Sequence, residues 1–183
     1  MAIEYREKLK SQIRESYGRV TYTYTAQLKY MDILNTRLNW IKCSQIILSA
    51  ISSGGIISTI FLNRLWLKLV SAVISTVLLC INLYFKNFDI IDQIKQHRSA
   101  SDMLWDIREE YLSLLTDFEN LSDHDVISKR NDLKDRVSLI NKKYPKTNSK
   151  SYKRAQKALK SEEEQFFSKE ELNKMLPNQL RIK

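Results

Sequence analysis

Two uncharged, largely apolar runs interrupt an otherwise charged chain. Cys43 to Leu62 lie between Lys42 and Arg64, and Leu69 to Phe85 lie between Lys68 and Lys86. A helix of about 20 residues spans roughly 30 Å, the thickness of a bilayer's hydrocarbon layer. The second run is shorter, but Leu65, Trp66 and Leu67 extend it, and Lys68 can snorkel to the interface. Trp66 and Tyr84 suit the headgroup belts at either end. The pattern predicts a transmembrane hairpin over 43–85 with spans 43–62 and 66–85. Two buried helices of a soluble core are the rival reading, and uncharged runs of this length are rare there.

Only Asn63 to Lys68 separate the spans, too few residues for a domain on the far side. Arg37, Lys42, Lys86 and Lys95 flank the hairpin on its outer side, against Arg64 and Lys68 in the loop. The positive-inside rule then predicts a multi-pass membrane protein with both termini cytoplasmic.

The spans carry polar stripes. Gln45, Ser52 and Thr59 recur every seven residues and share a helix face, with Ser49 beside them. Roughly opposite, Ala50, Gly54 and Ser58 form a small-residue ridge that lets another helix approach closely. In the second span Ser71, Ser75 and Asn82 share one face. These stripes either hold helices together by packing and hydrogen bonds, or line water once several copies assemble. Two helices cannot enclose a conduit, so a pore requires an oligomer.

Outside the runs the periodicity is also helical. Ile13, Tyr17, Val20, Tyr24, Leu28, Met31, Leu34, Leu38 and Ile41 predict one amphipathic helix within 1–42. Val20 to Thr25 alternate like a strand, yet a lone strand has no partner, so helix is the reading; Gly18 is the expected place for a break. Beyond Lys86, steps of three and four run through Ile90, Ile94, His97, Ser101, Leu104, Ile107, Tyr111, Leu114, Phe118 and Leu121. With no Gly or Pro in the way, 86–144 is expected to hold helices of which the first continues the second span. Ser122 to Asp125 can cap a further helix, ended by Pro145. The segment 145–183 reads as a basic tail with short helices, Ser151 to Phe167 and Ser168 to Leu176, the latter opened by a Ser168–Glu171 capping box. The fold class is thus an all-α membrane protein, a two-helix hairpin with long N- and C-terminal cytosolic helices forming a bundle.

Composition sharpens this picture. Three glycines and two prolines are too few for a many-stranded sandwich or barrel. The net charge of +9 is concentrated: Lys142, Lys143, Lys146, Lys150, Lys153, Arg154, Lys157 and Lys160 crowd one stretch free of acids. Such a block suits solvent, anionic membrane lipids or, less specifically, nucleic acid. Cys43 and Cys80 offer neither a disulfide framework nor a zinc site. There is no phosphate loop, no nucleophile elbow and no His-carboxylate cluster, so no cofactor and no enzymatic activity are expected.

The long first helix with Tyr17-Gly18-Arg19-Val20-Thr21-Tyr22, the close spans with Ile51-Ser52-Ser53-Gly54-Gly55 and the long helix beyond resemble the SLATT family over about residues 5 to 145. These are two-span effector domains of bacterial conflict systems, linked to nucleotide-signal synthases, ligand sensors and, in some branches, reverse transcriptases. The resemblance implies an anti-phage effector that assembles or opens in the inner membrane on a trigger. No separate nucleotide-sensing domain of the kind fused in some members is expected within these residues, so the trigger would come through a partner protein or act on the helical flanks and the basic tail. A non-conducting anchor or scaffold that recruits a partner is the alternative.

Overall fold

The computed structural model describes residues 2–62, 64–87 and 89–181, and the side chains of these except 2, 3, 56, 58–62 and 85–87. Among the described residues there is no strand. The helices are α1 (Ala2–Leu62), α2 (Leu65–Asn87), α3 (Ile90–Thr116), α4 (Asp123–Lys143), α5 (Ser149–Lys160) and α6 (Lys169–Met175). Single 3-10 turns occupy Phe118–Asn120 and Asn178–Leu180.

Val20 to Thr25 are helical, and Gly18 makes no break. The hydroxyls of Thr21, Thr23 and Thr25 donate to the carbonyls of Tyr17, Arg19 and Thr21 at 2.9, 2.8 and 2.9 Å. Each threonine thereby satisfies its hydroxyl within the helix, one turn back.

The chain forms two compact units, Met1–Tyr30 with Ala100–Lys183, and Met31–Ser99. In the first, the core is built from Leu9, Ile13 and Val20 of α1, Ala100, Leu104, Ile107, Tyr111 and Leu114 of α3, Phe118, and Val126, Leu133 and Ile140 of α4. The spacing of three, four and seven places each set on one stripe of its helix, so three helical segments close around a common core. Arg6 secures the α3–α4 corner: its Nη2 donates to the carbonyls of Phe118 (2.7 Å) and Leu121 (3.0 Å), and its Nη1 pairs with Asp123. The guanidinium also lies 4.9 Å from the Phe118 ring centroid. Ser122 caps α4, accepting the Asp125 backbone N–H.

The expected C-terminal tail is largely part of this unit. Ser151, Ala155, Ala158 and Leu159 of α5 are buried, and the Tyr152 ring stacks on Tyr22 with centroids 5.8 Å apart. The helix expected to reach Phe167 stops at Lys160. There Ser161 and Glu162 return their N–H groups to the Lys157 carbonyl, and Glu163 turns left-handed at φ 49°. The Ser168–Glu171 capping box opens α6 as expected, but α6 buries no residue.

The continuous helix expected beyond the second span is interrupted. α2 ends at Asn87 and α3 starts at Ile90. Asp89 acts as the N-cap: its Oδ1 accepts the Asp92 N–H at 2.9 Å, and its carbonyl accepts the Gln93 N–H at 3.1 Å. An aspartate can stop and restart a helix without Gly or Pro, so a search for breakers alone misses it.

Candidate functional site: a polar ladder in an apolar helix pair

In the unit Met31–Ser99, α1 and α2 lie antiparallel and are joined by a ladder of polar contacts. Gln45 Nε2 donates to Asn82 Oδ1 at 2.8 Å, and the hydroxyls of Ser52 and Ser75 lie 2.7 Å apart. The rungs are seven residues apart on both helices, so two turns of α1 match two turns of α2. Next along, Gly55 packs on Ser71: a Cβ at position 55 would collide with Ser71 Oγ and sit 3.5 Å from its Cβ. Ser52 and Ser71 are both buried.

Of the sequence-predicted stripe, Gln45, Ser52, Ser71, Ser75 and Asn82 therefore meet inside one chain. Ser49 is exposed and joins none of these contacts. Thr59 and Ser58 lie in α1 with side chains outside the described residues. The rest of the small-residue ridge, Ala50 and Gly54, is exposed, and a Cβ at Gly54 would meet no heavy atom within 4 Å. At these two positions the ridge is thus not filled by α2.

The outer surface of the pair is apolar. Ile46, Ile47, Ile51 and Ile57 of α1, and Leu69, Val73, Leu79 and Leu83 of α2, are each at least half exposed. Leu65–Tyr84 is, among the described residues, the one helix long and apolar enough to cross a membrane, with mean hydropathy 1.9, and only 6% of it is buried. A core helix of a soluble protein would be covered; this one is bare, and a contiguous bare apolar surface needs a non-aqueous neighbour.

Aromatic residues mark both ends. Trp66 is 62% exposed at one end; at the other, Trp40 is 71% exposed and Arg37 Nη2 donates to the Tyr84 hydroxyl at 3.0 Å. The eighteen helical steps from Trp66 to Tyr84 rise about 27 Å, close to the hydrocarbon thickness. Trp40 and the Arg37–Tyr84 bond escaped the sequence reading.

His97, on the same unit, is buried at 1% exposure, and burial holds its imidazole below the ordinary histidine value. The eight cations of the basic block are all exposed. Lys150, Lys153, Arg154 and Lys157 line one face of α5, opposite its buried face. Lys157 bonds Glu162 at 2.6 Å, which raises the lysine and lowers the carboxylate from their ordinary values.

Together these features define an all-helical, membrane-associated protein carrying an apolar helix of bilayer length. The chain belongs to the SLATT family: residues 9–171 match the family described as SMODS and SLOG-associating 2TM effector domain family 4. The match extends past α5 into α6, further than the sequence resemblance reached. No curated protein and no solved structure matches the chain. Membership makes it an effector domain rather than an enzyme, and among the described residues no group of His, Cys, Asp and Glu could hold a metal ion.

Proposed function

We propose that the protein is an oligomeric membrane effector of bacterial anti-phage or conflict defence, which disrupts the inner membrane, most simply as a pore. The observation that carries this reading is the helix pair itself, polar between its helices and apolar outside over a bilayer's thickness. In this reading 43–62 and 66–85 both span, as the family description "2TM" supports, and both termini are cytoplasmic. The trigger arrives through a partner such as a nucleotide-signal sensor or a reverse transcriptase; the family's association with SMODS and SLOG supports the former.

A conducting state has to be made by several copies. In a single copy Gln45–Asn82 and Ser52–Ser75 bond each other. Lining a pore would exchange those bonds for water or for neighbouring copies, with Ser49 and Thr59 joining them. Induced expression together with the activating companion should collapse the membrane potential, read with a potential-sensitive dye. An intact potential in cells where the protein is membrane-inserted overturns the reading.

The same closed ladder favours a second reading, a non-conducting anchor whose cytosolic helices recruit a partner. Replacing 43–85 with an unrelated two-span hairpin separates the two: an anchor keeps its activity and a pore loses it. In either case the basic block is proposed to contact anionic lipid headgroups, at about 1 kcal/mol per basic residue close to the surface. Lipid is preferred to nucleic acid because a chain inserted in a membrane always has anionic headgroups in its surroundings.

A further inference from the structure

Where α2 gives way to α3, the unit Met31–Ser99 holds a small pocket of about 190 Å³. Its walls include Ile41, Lys42 and Gln45 from one face of α1, and Asp89, Ile90 and Ile91 from the start of α3. Two opposite charges therefore face one space. Both are exposed, and among the described residues neither forms an ion pair, with the other or with a third group. Asp89 Oδ1 accepts the Asp92 N–H at 2.9 Å, which leaves Oδ2 without a bond among the described residues. Gln45 uses one amide N–H on Asn82 and keeps the other.

The pocket lies at the end of the helix pair marked by Trp40 and by the Arg37–Tyr84 bond, the aromatic level at which headgroups sit. A drug-sized ligand needs a larger space, of roughly 300 Å³ or more. A lipid headgroup is smaller. Its acyl chains need no pocket of their own, because Ile46 and Ile47 are exposed about one turn deeper along α1. The register of Gln45 on Asn82 sets Asp89 further from the span than Lys42. A headgroup with its phosphate next to the glycerol and an ammonium beyond it presents its charges in the same order.

We infer that the pocket holds the headgroup of a zwitterionic aminophospholipid, phosphatidylethanolamine, with its phosphate on Lys42 and its ammonium on Asp89. The inference rests on the membrane reading above. Lys42 donates to a phosphate oxygen, and the primary ammonium donates to Asp89 Oδ2, both as charge-assisted hydrogen bonds. Phosphatidylglycerol carries the phosphate but no ammonium, and sets Asp89 against a negative headgroup. Phosphatidylcholine carries a quaternary ammonium with no N–H to donate. The two bonds together select one headgroup.

In the test, the full chain in detergent is titrated with phosphatidylethanolamine, phosphatidylglycerol and phosphatidylcholine of identical acyl chains, and bound lipid is counted by native mass spectrometry. Phosphatidylethanolamine should be held about tenfold more tightly than either of the others, the worth of one hydrogen bond to a charged group. Lys42→Gln should weaken its retention by a similar factor. Asp89→Asn should bring it down to the level of phosphatidylcholine while the helical circular dichroism signal is kept, because asparagine caps a helix as well as aspartate does. Equal retention of the three lipids, a preference for phosphatidylglycerol, or a preference that survives both variants overturns the proposal. Soluble glycerophosphoethanolamine at the lipid's concentration should leave the lipid bound; displacement would make the free phosphoester, not the lipid, the occupant. A chain that needs detergent yet shows no headgroup preference sinks this inference alone. One that is soluble without detergent and binds none of the lipids removes the membrane reading with it.

Discussion

The Ser52 and Ser75 hydroxyls hydrogen-bond across two helices at 2.7 Å, in a stretch whose large exposed side chains are mostly apolar. In hydrocarbon neither hydroxyl has water to fall back on, so the pair fixes the rotation of α1 against α2. Gln45–Asn82, two turns away, fixes it a second time.

That arrangement predicts measurable coupling. Gln45→Ala and Asn82→Ala should each weaken the helix pair, and the double variant should cost less than their sum, by about 0.6–2 kcal/mol, the range for interhelical hydrogen bonds in membranes. Reversible unfolding in mixed micelles reads this coupling. Strict additivity would mean that the bond contributes nothing to the pair.

The adjacent glycines should behave differently. Gly55→Val pushes a side chain into Ser71 and should destabilise the pair by about 1–3 kcal/mol, as overpacking does. Gly54→Ala has open space and should leave the pair's stability unchanged or slightly raised, since alanine favours helix. The same micelle unfolding compares them; equal effects at the two positions would contradict the packing described.

His97 should make the protein acid-sensitive. Its folded value lies below the unfolded one near 6.5, so it binds a proton in the unfolded chain before it does in the folded one. Above about pH 7 it contributes no pH dependence. Below about 6.5, stability should fall with a slope of up to about 1.4 kcal/mol per pH unit, until the folded imidazole also titrates. Denaturation midpoints at pH 7.5 and 5.5 for wild type and His97→Gln test it; the variant should lose this part of the acid sensitivity.

Arg6 should not be replaceable by lysine. It serves two carbonyls and two carboxylates, Asp123 and Glu119, while stacking over Phe118, which a planar guanidinium can do and a point ammonium cannot. Arg6→Ala should cost about 1.5–3 kcal/mol, in the range for hydrogen bonds to charged groups, and Arg6→Lys should recover less than half of it. Urea titration of the far-ultraviolet circular dichroism gives both values.

Much of this was legible because the amphipathic pattern repeats at helical spacing. The stripe Leu104, Ile107, Tyr111, Leu114 and Phe118 reads directly as a buried face, and it is one. The Ser122 and Ser168 caps were readable for the same local reason: a cap and its helix are neighbours in sequence. The stop at Asp89 and the left-handed turn at Glu163 were not, because aspartate is tolerated on exposed helix faces and glutamate favours helix, so neither residue type marks an end by itself.

Sequence alone determined that the chain is helical, that it carries an apolar run of bilayer length, and which positions form polar stripes, since all three follow from residue type and a fixed period of 3.6. Which stripe faces which was a tertiary decision. Gln45 could as well have met Ser75, a slide of two helical turns, and Gly54 could have been the packing glycine in place of Gly55, one residue or about 100° of helix rotation away. Only the register of α1 on α2 joins Gln45 to Asn82, turns the Ala50–Gly54 ridge outward and sets Gly55 against Ser71.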